Sequence, residues 1–207
     1  MNVAFIPARS GSKGLPNKNT KIFNGLPLLA WSIKSAKKAD LIDEVVVSTD
    51  SIEIENIAKE YGASTLKRTK DLSNDTAKTI DVLKFHSEYL KKFKNIVILQ
   101  PTSPYRPDYL IDECIKCMDD ERFSNLATGF MCKNIEYGSH NNMRRQDFDG
   151  FFYDDGSIYI TRNSLIKSSV WVGKKPYRFI NKKQFTYEID DMIDFKILET
   201  LIKQNDI

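Results

Sequence analysis

Short aliphatic runs at 2–7, 44–49 and 95–100 alternate with stretches of helical periodicity at 27–39, 51–61, 77–91 and 107–119. That alternation constrains the chain more than any other feature. It predicts an α/β fold, a mostly parallel sheet flanked by helices. The run Glu44-Val45-Val46-Val47-Ser48-Thr49 is apolar at consecutive positions, as a strand covered on both faces must be. Open α/β sheets take their ligands beyond the carboxyl ends of the strands, so the residues after Ile6, Thr49 and Leu99 carry most functional weight. Periodicity lapses over 124–150, which reads as an excursion from the main sheet. It returns with a strand at 156–161 and a helix from about Asp191 to Lys203, with Ile193, Ile197, Leu198 and Leu201 on one face.

The chain has 207 residues, which predicts a single domain, 1–207, with 124–150 as a short arm. Hydrophobic residues make up 41%, enough for a core that needs no disulfide staples. Lys and Arg number 31 against 28 Asp and Glu, and a net charge of +3 is too balanced for nucleic-acid binding through bulk charge. No apolar run is long enough to span a bilayer, and Met1 leads straight into a strand-like run with no leader pattern. Both points predict a cytoplasmic protein with no membrane partner. Cys114 and Cys117 have the spacing of a redox or metal pair. They fall in an amphipathic helix with no second ligand pair, so packing is the expected role.

The first strand runs into Pro7-Ala8-Arg9-Ser10-Gly11-Ser12-Lys13-Gly14-Leu15-Pro16-Asn17-Lys18-Asn19. Its glycines and serines let backbone N–H groups face an anion, and Arg9, Lys13 and Lys18 add cations. A triphosphate needs both, whereas a solvated basic loop has the same composition. The spacing is neither that of a P-loop nor Gly-x-Gly-x-x-Gly.

This loop closely resembles the signature loop of the acylneuraminate cytidylyltransferases, the CMP-sialic acid synthetases. Further blocks follow in that family's order: Val47-Ser48-Thr49-Asp50; Arg68 with Leu72, Asp75 and Thr79-Ile80-Asp81; and Leu99-Gln100-Pro101-Thr102-Ser103-Pro104-Tyr105-Arg106. Arg145-Gln146 and Asp155-Gly156-Ser157-Ile158-Tyr159-Ile160 complete the series. The resemblance implies a Rossmann-like nucleotidyltransferase fold, Mg2+, and a homodimer in which an excursion from one subunit reaches the neighbour's site. It implies attack by the anomeric hydroxyl of a nine-carbon 2-keto-3-deoxy sugar acid (neuraminic, legionaminic or pseudaminic type) on the α-phosphate of CTP, giving a CMP-sugar and pyrophosphate. Alternatives are an eight-carbon sugar acid or a phosphonate as acceptor, or a non-catalytic nucleotide-binding protein.

By this resemblance Arg9, Ser12, Lys13, Lys18 and Asn19 line the triphosphate and nucleoside, with Arg68 and Thr79 as further nucleotide contacts. Lys18, Arg9 and Asp190 are the expected catalytic groups, Lys18 on the α-phosphate and pyrophosphate. The other reading of Arg68 is a surface charge paired with Asp71. Gln100 ends a buried-type strand, where an unpaired amide costs about 1–3 kcal/mol, and the resemblance assigns it to the sugar. Arg145, at family-like spacing from Gly156, is the expected reader of the sugar carboxylate. Glu188 and Asp190, two apart in an extended segment, can converge on one hard cation such as Mg2+. Charge at 190, 191 and 194 equally favours a helix start, so Asp190 can serve both needs, with Asp191 and Asp194 structural.

Two departures stand out. Glu188 replaces the first aspartate of the family's Asp-Ile-Asp metal pattern. Residues 124–150 are shorter than the family's arm and lack its His-Pro block, leaving Lys133 as an ambiguous stand-in for a sugar-contacting lysine. Asp50 follows a strand end, where it can approach metal or substrate or cap the helix at 51–61. His86 and His140 offer no evident general base.

Overall fold

The computed structural model describes residues 1–12, 14–139 and 143–204. The chain begins with β1 (Asn2–Pro7), followed by a minimal hairpin of β2 (Ile22–Phe23) and β3 (Leu26–Pro27), then α1 (Leu28–Lys38). Next come β4 (Glu44–Thr49), α2 (Ile52–Glu60), β5 (Ser64–Lys67), α3 (Thr79–Phe85), α4 (Ser87–Leu90) and β6 (Asn95–Leu99). The remainder is α5 (Leu110–Cys117), β7 (Asn125–Cys132), β8 (Phe151–Arg162), α6 (Asn163–Lys167), β9 (Pro176–Ile180) and α7 (Met192–Gln204).

Seven strands form one sheet in the order β5-β4-β1-β6-β8-β7-β9. β5, β4, β1 and β6 are mutually parallel, β8 is antiparallel to β6 and β7, and β9 is parallel to β7. From β1 the chain steps outward through β4 and β5. It then crosses back to lay β6 on the other side of β1. That reversal opens a crevice at the carboxyl end of the parallel strands, the place where such sheets bind ligands.

Alternate residues of the central strands feed opposite faces. Ala4, Ile6, Val45, Val47, Val97 and Leu99 pack under α1, α2 and α5. Val3, Phe5, Val46, Ile96 and Ile98 pack against Val82, Leu83, Leu90 and Ile166. A third cluster seats α7 on the hairpin, through Phe23, Phe195, Leu198 and Ile202. Cys114 lies wholly inside the first cluster with Cys117 packed against it, the packing role the helix pattern predicts. Among the described residues no helix is long and apolar enough to cross a membrane.

The sequence pattern is corrected in two places. Residues 125–132 are not an excursion: β7 lies within the main sheet between β8 and β9. Its register shifts between Ala127 and Gly129, which breaks the period of two that marks a strand. The helix expected over 77–91 divides at His86, which leaves helical geometry while its Nε2 meets the Ser48 hydroxyl at 2.9 Å. His86 is thus a packed residue beneath the sheet end, and burial, with the Arg68 charge adding, lowers its pKa to about 4.

Candidate active site

A cleft of roughly 600 Å³ opens at the crevice. Its walls include Arg9, Ser12, Lys18 and Asn19 from the first loop, Arg68 after β5, and Thr79 at the start of α3. Gln100 and Thr102, from the turn after β6, and Asp190, beside the first loop, complete the lining. The structure therefore gathers into one cavity most of the residues that the sequence marks as separate blocks. Lys13 lies outside the described residues. Arg145 opens a short 3-10 turn, Arg145–Asp147, and its side chain is outside the described atoms.

The first loop is tied down along its length. After Ala8 donates its last sheet-like hydrogen bond to Ser48, Ser10 donates twice to Asp50: the backbone N–H at 2.9 Å to Oδ1 and the hydroxyl at 2.7 Å to Oδ2. Asp50 does not cap α2. Ser51 does, its hydroxyl accepting from the Ile54 N–H. Burial by itself works to raise the Asp50 pKa, but the Ser10 hydrogen bonds and the Arg68 charge bring it below the usual carboxylate value.

Farther along, a methyl at Gly14 would strike the Asp190 carbonyl oxygen, so only glycine lets the loop pass there. Asn17 is left-handed, with φ of 55°, and starts the tight turn Lys18–Thr20. Asn19 is buried and donates to the Arg9 carbonyl at 2.9 Å, bracing the loop across its neck. Lys18 donates to the Ile189 carbonyl at 2.7 Å and lies 3.5 Å from Asp190 Oδ1, so its ammonium is fixed between the loop and the acidic segment.

Arg9 donates to Asp75 Oδ1 at 2.6 Å, linking the first loop to the segment before α3. Arg68 is not paired with Asp71. Its Nε is buried without a hydrogen-bond partner among the described residues; burial lowers its pKa, Asp50 opposes that, and Arg9 adds to it. Two guanidiniums that repel each other, one with a buried donor unspent, form an environment suited to an anion.

After β6, the Gln100 carbonyl is gripped by Arg106 at 2.6 Å. Arg106 is buried and also donates to the Ser157 carbonyl at 2.8 Å and the Ser32 hydroxyl at 3.0 Å. It thereby fixes the end of β6 against β8 and α1, leaving the Gln100 side chain to line the cleft. Thr102, given no role by its place in the Leu99–Arg106 block, also lines it, and donates to Glu188 at 3.4 Å.

Asp191 and Asp194 start α7 reciprocally. Asp191 Oδ1 accepts from the Asp194 N–H at 3.0 Å, and Asp194 Oδ2 accepts from the Asp191 N–H at 3.1 Å. The Asp190 side chain, 81% exposed, is spared that duty, although its N–H also donates to Asp194. Glu188 differs. Its carboxyl fills the space where a side chain at Gly156 would stand, and burial lifts its pKa to about 7, with Asp190 adding.

Among the described residues no three His, Cys, Asp or Glu side chains converge as a ready-made metal cage. Mg2+ does not need one. It commonly uses one or two carboxylates and completes its octahedron with water and phosphate oxygens. An exposed Asp190 facing a basic loop fits that donor set.

A family model described as Cytidylyltransferase matches residues 3–207. The chain is 32% identical to CMP-N,N'-diacetyllegionaminic acid synthase of Legionella pneumophila, over 98% of this chain and 97% of that one. It is 29% identical to N-acylneuraminate cytidylyltransferase A of Danio rerio, over 95% of this chain but 49% of that one. The chain thus spans about half the length of several curated relatives it matches. The solved structure of a CMP:2-keto-3-deoxy-manno-octonic acid synthetase complexed with CTP superposes with a TM-score of 0.76 at 16% identity, covering 99% of each chain, and so shares the fold.

Proposed function

The chain belongs to the cytidylyltransferase family, and from that premise we propose that it joins CTP to a nine-carbon 2-keto-3-deoxy sugar acid, releasing pyrophosphate. The observation that carries this reading is that Arg9, Lys18 and Arg68 line the same cleft as Gln100, Thr102 and Asp190. A polyanion fits the three cationic side chains, and a hydroxyl-rich acceptor fits the uncharged polar ones, Gln100 and Thr102.

In the proposed reaction the anomeric oxygen of the acceptor forms a bond to the α-phosphorus while the bond from that phosphorus to the β-bridging oxygen breaks. The electron pair leaves with pyrophosphate, and the hydroxyl proton is released. Lys18, anchored by the Ile189 carbonyl, meets the charge that grows on the transferred and leaving phosphates. Arg9 exchanges the Asp75 carboxylate for phosphate oxygens, and Arg68 offers its buried donor. Ser12, Asn19 and Thr79 shape the nucleotide end, and Gln100 orients the sugar. Asp190, with Glu188 behind it, would hold Mg2+, which when bound supplies charge neutralisation and Lewis acidity. The three unpaired thiols suit a reducing cytoplasm.

The test is pyrophosphate release from CTP and Mg2+ across a panel of eight- and nine-carbon keto-sugar acids. Turnover with a nine-carbon acid is expected, falling about 10²–10³-fold in Lys18→Ala while far-UV circular dichroism is unchanged. CTP binding without turnover on any acid would sink the reading, and near-normal Lys18→Ala activity would remove the role given to that lysine.

A further inference from the structure

Asp50 presents an electrostatic puzzle. It is a carboxylate, held ionised, at the edge of a loop that otherwise collects cations. By charge alone it opposes the binding of any anion there. It caps no helix, since Ser51 performs that role, and it is not among the residues lining the main cleft. Both of its oxygens are instead spent on one residue, Ser10, the first after Arg9.

We propose that Asp50 is a positioning residue that sets the conformation of the Arg9–Asn19 loop for its anion, by clamping the backbone and the side chain of Ser10 together. The proposal rests on the reading of that loop as the nucleotide's phosphate site.

The loop leaves the sheet at Ala8, whose N–H makes the last bond to β4. The next hold is the Ser10 pair on Asp50, in the residue that follows β4. Gly11 then stands clear of the other described residues, none of which comes within 4 Å of a would-be Cβ. At the far end the Asn19 bond to the Arg9 carbonyl, the Lys18 bond to Ile189 and the close pass of Gly14 fix the return. Without Asp50 the Arg9–Ser10 peptide would keep the Asn19 bond to its carbonyl but lose its tie to the end of β4, and the nearest side-chain hold left would be that of Arg9 itself, through Asp75 and the Ser73 carbonyl. Arg9 is the side chain that has to be released to the phosphates. A two-point grip on Ser10 lets Arg9 move while the peptide beside it stays in place. The same carboxylate faces Arg68, so one anion balances the second guanidinium and fixes the first loop.

The experiment exploits the sign of the charge effect. CTP binding is measured by calorimetry for wild type, Asp50→Ala, Asp50→Asn and Ser10→Ala, together with melting temperature and the KM for the sugar acid. If Asp50 positions the loop, Asp50→Ala weakens CTP binding about tenfold, and Asp50→Asn weakens it less, because its amide oxygen still accepts from the Ser10 N–H. Ser10→Ala shows a smaller loss, and adding it to Asp50→Ala costs little more, as expected for partners in one contact. The acceptor KM stays within about twofold, which a general loss of structure would not allow. CTP binding as tight as or tighter than wild type in Asp50→Ala or Asp50→Asn, the result that removing a negative charge alone produces, overturns the proposal. So does an equal loss of CTP and acceptor affinity. Inorganic tripolyphosphate serves as a second probe. If wild type binds it but not CTP, the nucleotide reading falls and the Asp50 comparison is made with tripolyphosphate. If wild type binds neither, both readings fall.

Discussion

Burial lifts the Glu188 carboxyl to about 7 from an ordinary value of 4.5, and the Asp190 charge adds to it. A carboxyl whose pKa is raised by folding holds its proton more tightly in the native state. The unfolded chain loses that proton first, so stability falls as pH rises from about 4.5 to about 7, then levels off. In metal-free buffer, Glu188→Gln is therefore expected to melt higher than wild type, by a margin that is near zero at pH 4 and widens up to pH 7. A margin that shrinks with pH would show that Glu188 is stabilised as the anion. Gly156 lies against the same carboxyl with φ of +64°, so Gly156→Ala meets a strained backbone and the Glu188 side chain at once. A loss of about 2 kcal/mol or more in urea unfolding is expected. The sequence marked Glu188 as a lengthened substitute within an acidic pattern. It contained no sign that the extra methylene would carry the carboxyl over Gly156, because the two residues are far apart in the chain and meet only where β8 passes the segment before α7.

At the scale of elements, α7 shows how far local chemistry reads true. The Asp191–Asp194 pair was legible as a helix start, since capping needs residues only three apart. Replacing Asp191 with Ala should lower unfolding free energy by about 1 kcal/mol, read as a shifted urea midpoint with unchanged slope. β7 was illegible for the opposite reason. Its bulge at Ala127–Gly129 removes the alternation that a sequence pattern relies on, and its place in the sheet is decided by β8 and β9. The division between α3 and α4 falls at His86, whose ring nitrogen makes a long-range contact with a hydroxyl on β4. Apolar periodicity runs through that break undisturbed.

Across the whole molecule, the outer part of the β7–β8 hairpin bears Phe130, Phe151 and Tyr153 on one face, with Phe151 49% and Tyr153 52% exposed. We propose this aromatic row as the surface on which a second copy of the chain docks. Sedimentation should give a dimer for wild type, and Phe151→Glu should shift it toward monomer while the melting transition persists; a monomeric wild type would end that proposal. The sequence by itself determined the parallel α/β framework, the cationic loop after β1 and the residue types of the cleft, because these depend on periodicity and on neighbours within a few positions. Only the tertiary structure decided which charges face a ligand and which hold others in place. Asp50 grips Ser10, Asn19 braces Arg9, Arg106 secures Gln100 and Glu188 fills the space at Gly156. The Asp50 and Glu188 contacts join segments well separated in the chain, and Arg106 also ties Gln100 to Ser157 and Ser32. The energies of all these contacts depend on burial and distance, which arise only when the sheet brings the loops to one edge.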